Sequence, residues 1–187
     1  MTLENKNVKI DFFDKSNLSH VKEAARLLAD CFPQAYKDCS RAEMDAILND
    51  ERIAVMAVID NRLIGFIGAI PQYGITGWEL HPLVVNPAYR NMGVGSRLVD
   101  KLEKEVLSRG GVVMYLGTDD EFGKTTLSGV DLFENLYDKI QNIKNLNRHP
   151  YEFYLKAGYK IVGVIPDANG PGKPDILMAK RLTRKTT

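Results

Sequence analysis

Glu79 and His81 alternate with Trp78 and Leu80 in a run, Trp78 to Val85, that reads as a strand, so the carboxylate and the imidazole point to one face. Both groups take up and release protons. Further along, Arg90-Asn91-Met92-Gly93-Val94-Gly95-Ser96 lies between that strand and a helix. Its two glycines relieve the steric limits on the backbone, so consecutive amides can turn toward one anion, and the helix N-terminus adds a partial positive charge. Such a loop holds a pyrophosphate without a metal, and Arg90 and Arg97 can supplement the amides. A third feature is charge: from Gly111 to Asp138 the six acids Asp119, Asp120, Glu121, Asp131, Glu134 and Asp138 stand against Lys124, a local net of −5. An acidic rim concentrates polycationic amines, and a solvated acidic helix face is the plain alternative.

Two other glycine patterns fail. Gly117 to Thr125 resembles a P-loop at a glance, but five residues separate its glycines where the motif needs four, and Asp119, Asp120 and Glu121 would lie where phosphates should. Gly93-Val94-Gly95-Ser96-Arg97-Leu98 would need a small residue at Leu98 to be a dinucleotide fingerprint, because the third glycine lets that helix close on its strand.

The elements that must position these groups follow one another with short connections. Val8 to Phe13 reads as a strand, and Ser16/Asn17 open an amphipathic helix ending at Pro33. Ser40 to Leu48 reads as a short helix with a capping box, Ser40 to Glu43. Ile53 to Ile59 and Leu63 to Ile70 are β-branched runs joined by Asp60-Asn61-Arg62, a hairpin pattern. Ser96 to Ser108 is a helix with a Leu98, Val99, Leu102, Val106 stripe, stopped by Gly110-Gly111. Val112 to Leu116 is then a strand, Asp131 to Leu146 a helix, Tyr151 to Ala157 a short helix, and Lys160 to Ile165 and Asp175 to Ala179 closing strands. The order predicts a mixed α/β layer fold in a single domain, with no repeat or linker.

Composition narrows the function classes. The chain has 187 residues, 44% of them hydrophobic, and 25 Lys+Arg against 24 Asp+Glu give a net charge of +1. That balance argues against a broad basic face for nucleic acid or acidic membranes. Cys31 and Cys39 are too few for a disulfide framework and lack CxxC spacing, and His20, His81 and His149 are scattered, so neither a disulfide nor a structural zinc is expected. The thiols read as reduced, in a cytoplasmic protein. No apolar signal core opens the chain, and stretches such as Leu63 to Ile70 are too short to span a bilayer.

Arg-x-x-Gly-x-Gly after a strand ending Leu83-Val84-Val85-Asn86-Pro87 resembles motif A of the GCN5-related N-acetyltransferases (GNAT), whose loop binds the pyrophosphate of acetyl-CoA. Phe66 to Val85, Tyr115 to Asp120, and His149-Pro-Tyr-Glu-Phe-Tyr154 running into Gly158 to Val164 are similar to the aminoglycoside 6'-N-acetyltransferases. These blocks cover most of residues 50 to 180, while the first fifty are similar only in element order and length. The resemblance implies an α/β fold whose central, mostly antiparallel sheet of six to seven strands has a splayed parallel pair and flanking helices. It implies acetyl-CoA as cosubstrate, no metal, and a homodimer formed through the C-terminal strands.

It also assigns roles. Glu79 is the general base, through water, and His81 lines the acceptor site. The Leu83 amide is the oxyanion donor, and Leu83, Val84 and Val85 run along the cosubstrate, with Val85 bonding the pantetheine. Arg90, Asn91, Met92, Gly93, Val94, Gly95, Ser96 and Arg97 hold the pyrophosphate. Tyr154 protonates the leaving thiolate, with Tyr151 competing for that role and core packing as the other reading of Tyr154. Asp119, Asp120, Tyr73 and Trp78 complete the acceptor site. The expected reaction is acetyl transfer to the 6'-amino group of aminoglycosides, with a polyamine, a small metabolite amine or a protein lysine as the alternative acceptor.

Overall fold

The computed structural model describes residues 8–182 and divides into two compact units, one of residues 8–112 with Leu182 and one of Val113–Arg181. In the first unit the elements are β1 (Lys9–Phe12), α1 (Leu18–Cys31), α2 (Pro33–Tyr36), α3 (Ser40–Ile47), β2 (Ile53–Ile59), β3 (Arg62–Tyr73), β4 (Gly77–Val85), a 3-10 turn at Pro87–Tyr89 and α4 (Val94–Ser108). The strands β1 to β4 form an antiparallel meander in chain order, with Lys9 opposite Val58, Val55 opposite Ile67 and Phe66 opposite Val84. The β2–β3 turn is made by Asp60 and Asn61, both left-handed at φ 48° and 59°. That conformation matches the right-handed twist of the flanking strands and is tolerated best by Asn, Asp and Gly.

β3 is buried without a break from Leu63 to Ala69 because helices cover both of its faces. Leu27, Leu28, Met44 and Ile47 from α1 and α3 pack with Phe66 and Val84 on one side. On the other side Leu98 of α4 lies 3.4 Å from where a Cβ on Gly65 would stand. The stripe of α4, Val94, Leu98, Val99, Leu102 and Val106, is fully buried. Gly110, at φ 90°, ends that helix, and the Gly111 amide returns to the Val106 carbonyl.

The β3–β4 register contains a bulge: Ile67 pairs with Leu83 but Ala69 with Leu80, so Gly68 alone faces His81 and Pro82. Paired residues share a face. Leu83 and Val85, opposite Ile67 and Gly65, therefore lie on the α4 side, whereas Glu79, opposite Ile70, lies with Gly68 on the α3 side. Unbroken alternation would have put Glu79, Leu83 and Val85 on one face.

In the second unit β5 (Val113–Asp119), β7 (Asp175–Arg181) and β6 (Lys160–Ile165) form an antiparallel sheet in the order β5-β7-β6, with α5 (Leu136–Gln141) and α6 (Tyr151–Lys156) outside the strands. Two local expectations are corrected. The helix over Asp131 to Leu146 shrinks to α5, because backbone bonds from Thr126 to Lys144 and from Leu146 to Lys124 draw its C-terminal end into antiparallel pairing with the segment before it. Of the apolar residues in that pattern, Phe133 and Tyr137 are exposed, at 78% and 84%, while Leu132 is buried. The capping box also fails: Cys39 is the N-cap of α3, Ser40 is already helical, and no side chain caps the helix.

A Cβ at residue 68 would sit 2.5 Å from the His81 carbonyl oxygen, whereas one at residue 163 would meet nothing closer than 3.9 Å. Gly68→Ala is expected to lower stability by about 1–3 kcal/mol, the usual cost of forcing atoms into packed space, while Gly163→Ala leaves it nearly unchanged. Denaturant midpoints compare the two, and equal midpoints would remove the backbone-contact account of the bulge.

Candidate functional site

On the α3-side face of β4 the Glu79 Oε2 accepts a 2.7 Å hydrogen bond from the Gln72 amide. Gln72 is the extra residue of a second irregularity, since Pro71 pairs with Trp78 and Tyr73 with Gly77. Two residues further along, His81 Nε2 meets the Tyr36 hydroxyl at 3.2 Å and Glu43 Oε1 at 3.6 Å. The His81 and Glu43 side chains are 35% and 25% exposed, so the group is half open to solvent. The structure thus brings Glu79 and His81 to one face and adds Gln72, Tyr36 and Glu43. No local pattern marks these three, since Tyr36 and Glu43 reach His81 from helices distant in sequence. The one signal at Glu43, its capping-box spacing, belongs to a different role. Tyr73 is exposed, but Trp78 is buried with its indole N–H bonded to the Ile75 carbonyl at 2.9 Å. Trp78 therefore packs the unit's interior and offers no open wall to an acceptor.

The glycine loop reaches its helix through two left-handed residues, Asn91 at φ 60° and Gly93 at φ 78°. Gly93 is the N-cap of α4, with no side chain capping the helix, and open space surrounds the position of an added Cβ. The first intrahelical bond runs from the Arg97 amide to the Gly93 carbonyl, so the Val94, Gly95 and Ser96 amides precede the helical ladder. With the helix dipole behind them, these donors suit an anion, and the loop fits a diphosphate. The Val84 and Val94 side chains are buried, which leaves only their backbones to serve a ligand. Asn91 and Met92 are exposed. Arg90 bonds the Val85 carbonyl through Nε at 3.1 Å and reaches Cys31 Sγ at 3.5 Å. Arg97, expected at the anion, is bound instead to the Val8 carbonyl at 2.8 Å.

In the second unit the two neighbouring aspartates have opposite fates. Asp119 is exposed and accepts from the Asn169 amide at 2.6 Å. Asp120 is completely buried, and its two oxygens accept from the Lys124 and Thr125 amides at 2.6 and 2.7 Å. Its charge staples that turn, so of the pair only Asp119 faces a solvent-borne cation. Tyr154 is buried edge-on against Phe153 and Tyr159, with ring centres 5.1 and 5.8 Å away. Burial pushes its hydroxyl pKa well up, so it keeps its proton and is able to donate a hydrogen bond. Burial also raises the Tyr151 hydroxyl. His149, at the start of α6, is 2% exposed and burial holds its pKa below the ordinary value. Among the described residues no group of His, Cys, Asp and Glu is arranged to hold a metal ion, and no helix is long and apolar enough to cross a membrane.

Residues 21–126 match the model of the acetyltransferase (GNAT) family. An aminoglycoside 6'-N-acetyltransferase solved in complex with coenzyme A is 55% identical, with 96% of this chain covering 99% of that one at a TM-score of 0.93. The aminoglycoside 6'-N-acetyltransferase from Enterococcus faecium is 54% identical over the same shares, at a TM-score of 0.91. An aminoglycoside 6'-acetyltransferase type Ii is 48% identical, over 95% of this chain and 99% of that one, at a TM-score of 0.77. No curated protein matches the chain. The mixed α/β class and the motif at Arg90 to Ser96 agree with these likenesses, and the chain belongs to the acetyltransferase (GNAT) family and has its fold.

Proposed function

We propose that this chain transfers the acetyl group of acetyl-CoA directly to the 6'-amino group of aminoglycosides, conferring resistance to them. The observation that carries this reading is the likeness, at about half of all residues and over nearly the whole length, to solved aminoglycoside 6'-N-acetyltransferases, one of them holding coenzyme A.

The chain's own residues then divide the work. The Val94, Gly95 and Ser96 amides, at the uncapped start of α4, bind the diphosphate of the cosubstrate. Glu79, its carboxylate oriented by Gln72, takes the proton of the acceptor ammonium through water, because only the neutral amine attacks a thioester. His81, steadied by Tyr36, lines the acceptor side of the same strand face. The Leu83 amide donates to the oxygen on which negative charge develops. Tyr154 donates a hydrogen bond to the departing sulfur. A phenol is already a weaker acid than a thiol and burial weakens it further, so full proton transfer is uphill, and its contribution is to stabilise the thiolate. Exposed Asp119 and the acids near it in sequence attract a polycationic acceptor.

Two further parts of the reading are a cytoplasmic location and a homodimer built on the C-terminal strands. Edge strand β6, which exposes Val162 and Ile165, supports the second.

Thiol release from acetyl-CoA, followed across kanamycin-type aminoglycosides, spermine and a lysine peptide, is expected to be fastest with the 6'-amino aminoglycosides. Turnover of spermine or the peptide with none of any 6'-amino aminoglycoside would reject the reading. Glu79→Ala should cut kcat/KM by about 100-fold, the scale of a lost general base, and most severely below the pKa of the amine. Gly95→Glu sets a negative side chain beside the diphosphate amides. Calorimetry should find coenzyme A bound at least about tenfold more weakly, and unchanged affinity would move the cradle elsewhere.

A further inference from the structure

Residues 120–150 join β5 to α6 with little regular structure, and one connected set of polar contacts organises them. Asp120 holds the Lys124 and Thr125 amides, and Thr125 pairs with Asn145 in an isolated antiparallel bridge. Asn145 then clasps the His149 backbone from both sides, donating to its carbonyl at 3.0 Å and accepting from its amide at 2.8 Å. The His149 ring closes the set: Nε2 lies 3.1 Å from the Asp119 carbonyl oxygen, and Nδ1 lies 3.2 Å from the Tyr151 amide nitrogen.

These two contacts determine the proton's place. A carbonyl only accepts and a backbone N–H only donates, so His149 carries hydrogen on Nε2 and a bare lone pair on Nδ1. One neutral imidazole thereby ties the last residue of β5 to the first turn of α6, which has no side-chain cap of another kind. Asp119 belongs to the first element and Tyr154 to the second.

We propose that His149 is a positioning residue that sets the acceptor-facing Asp119 and the hydrogen-bond donor Tyr154 relative to each other, through two separable hydrogen bonds from one neutral ring. The proposal rests on the roles given above to Asp119 and Tyr154. Burial supports the neutral state, outweighing the Asp119 carbonyl and the Asp120 and Asp119 charges, which favour a proton, while Lys124 opposes one. The Tyr151 ring, 5.7 Å away, covers one side of the imidazole. A proton on Nδ1 would set N–H against N–H and release α6.

Two substitutions separate the ties, because an Asn carbonyl stands near the place of Nδ1 and a Gln amide near that of Nε2. His149→Asn keeps the acceptor for the Tyr151 amide and loses the bond to Asp119. It is expected to raise the acceptor KM about tenfold, the scale of one buried hydrogen bond, with kcat within about twofold of the parent. His149→Gln keeps the Asp119 bond and loses the Tyr151 acceptor, so kcat should fall about tenfold with the acceptor KM retained. Both are measured with whichever amine of the panel the parent chain acetylates. The same pattern in both variants, or parental values in both, would overturn the positioning role.

Ring nitrogen shifts of the intact parent chain give a readout that requires neither a variant nor an acceptor. They should report the Nε2–H tautomer at neutral pH and still at pH 6.5, the ordinary histidine midpoint. An Nδ1–H tautomer, or a charged ring at that pH, overturns the proposal whatever the acceptor proves to be.

Discussion

The close approach of β3 and β4 at Gly68 is the constraint on which the first unit's chemistry depends. No side chain larger than hydrogen fits there, since a Cβ would overlap the His81 carbonyl. With the backbones that close, one β3 residue spans two of β4, and the alternation along β4 changes faces at His81 and Pro82. Glu79 and His81 turn toward α2 and α3, where Gln72, Tyr36 and Glu43 meet them, while Leu83 and Val85 turn toward α4 and its glycine loop. One strand thus presents an acid and an imidazole on one face at one end and Leu83 and Val85 on the other face at the other, the division that the proposed function assigns to acceptor and cosubstrate.

The second unit solves a different problem. Its chain must travel from the end of β5 to α6 with one short helix between, and buried backbone groups on such a path need partners. Asp120, Thr125, Asn145 and His149 supply them in series. A buried charge is tolerated here because two backbone amides converge on it. The near-zero total charge of the chain conceals this division: one aspartate of the acidic segment is structural, and its neighbour is free to meet a cation. Lys173 to Thr187, with five positive residues against Asp175, offsets most of the negative segment in the sum.

Element order was largely legible. The alternating β-branched runs, the Asp60-Asn61 turn and the Leu98 to Val106 stripe each express their conformation within a few residues, and the glycines at 93 and 110 mark both ends of α4. The failure at Asp131 to Leu146 is equally instructive. Its apolar spacing suits a helix, but pairing between residues 124–126 and 144–146 satisfies the backbone at its C-terminal end, and such pairing leaves no mark on the local pattern.

By itself the sequence determined the types and local geometry of the chemical groups: an acid and an imidazole on one strand face, an amide-rich turn before a helix, an aromatic on a short helix, and an excess of acid downstream. Tertiary structure alone decided their neighbours and exposure. It placed Tyr36 and Glu43 against His81, turned Trp78 and Asp120 inward, and bound Arg97 to Val8. The division has a physical cause. Backbone dihedrals and amphipathic periodicity are set by a residue and its near neighbours, whereas burial and hydrogen-bond partnership depend on how closely distant segments approach. Here that distance is governed by single glycines and by polar pairs far apart along the chain.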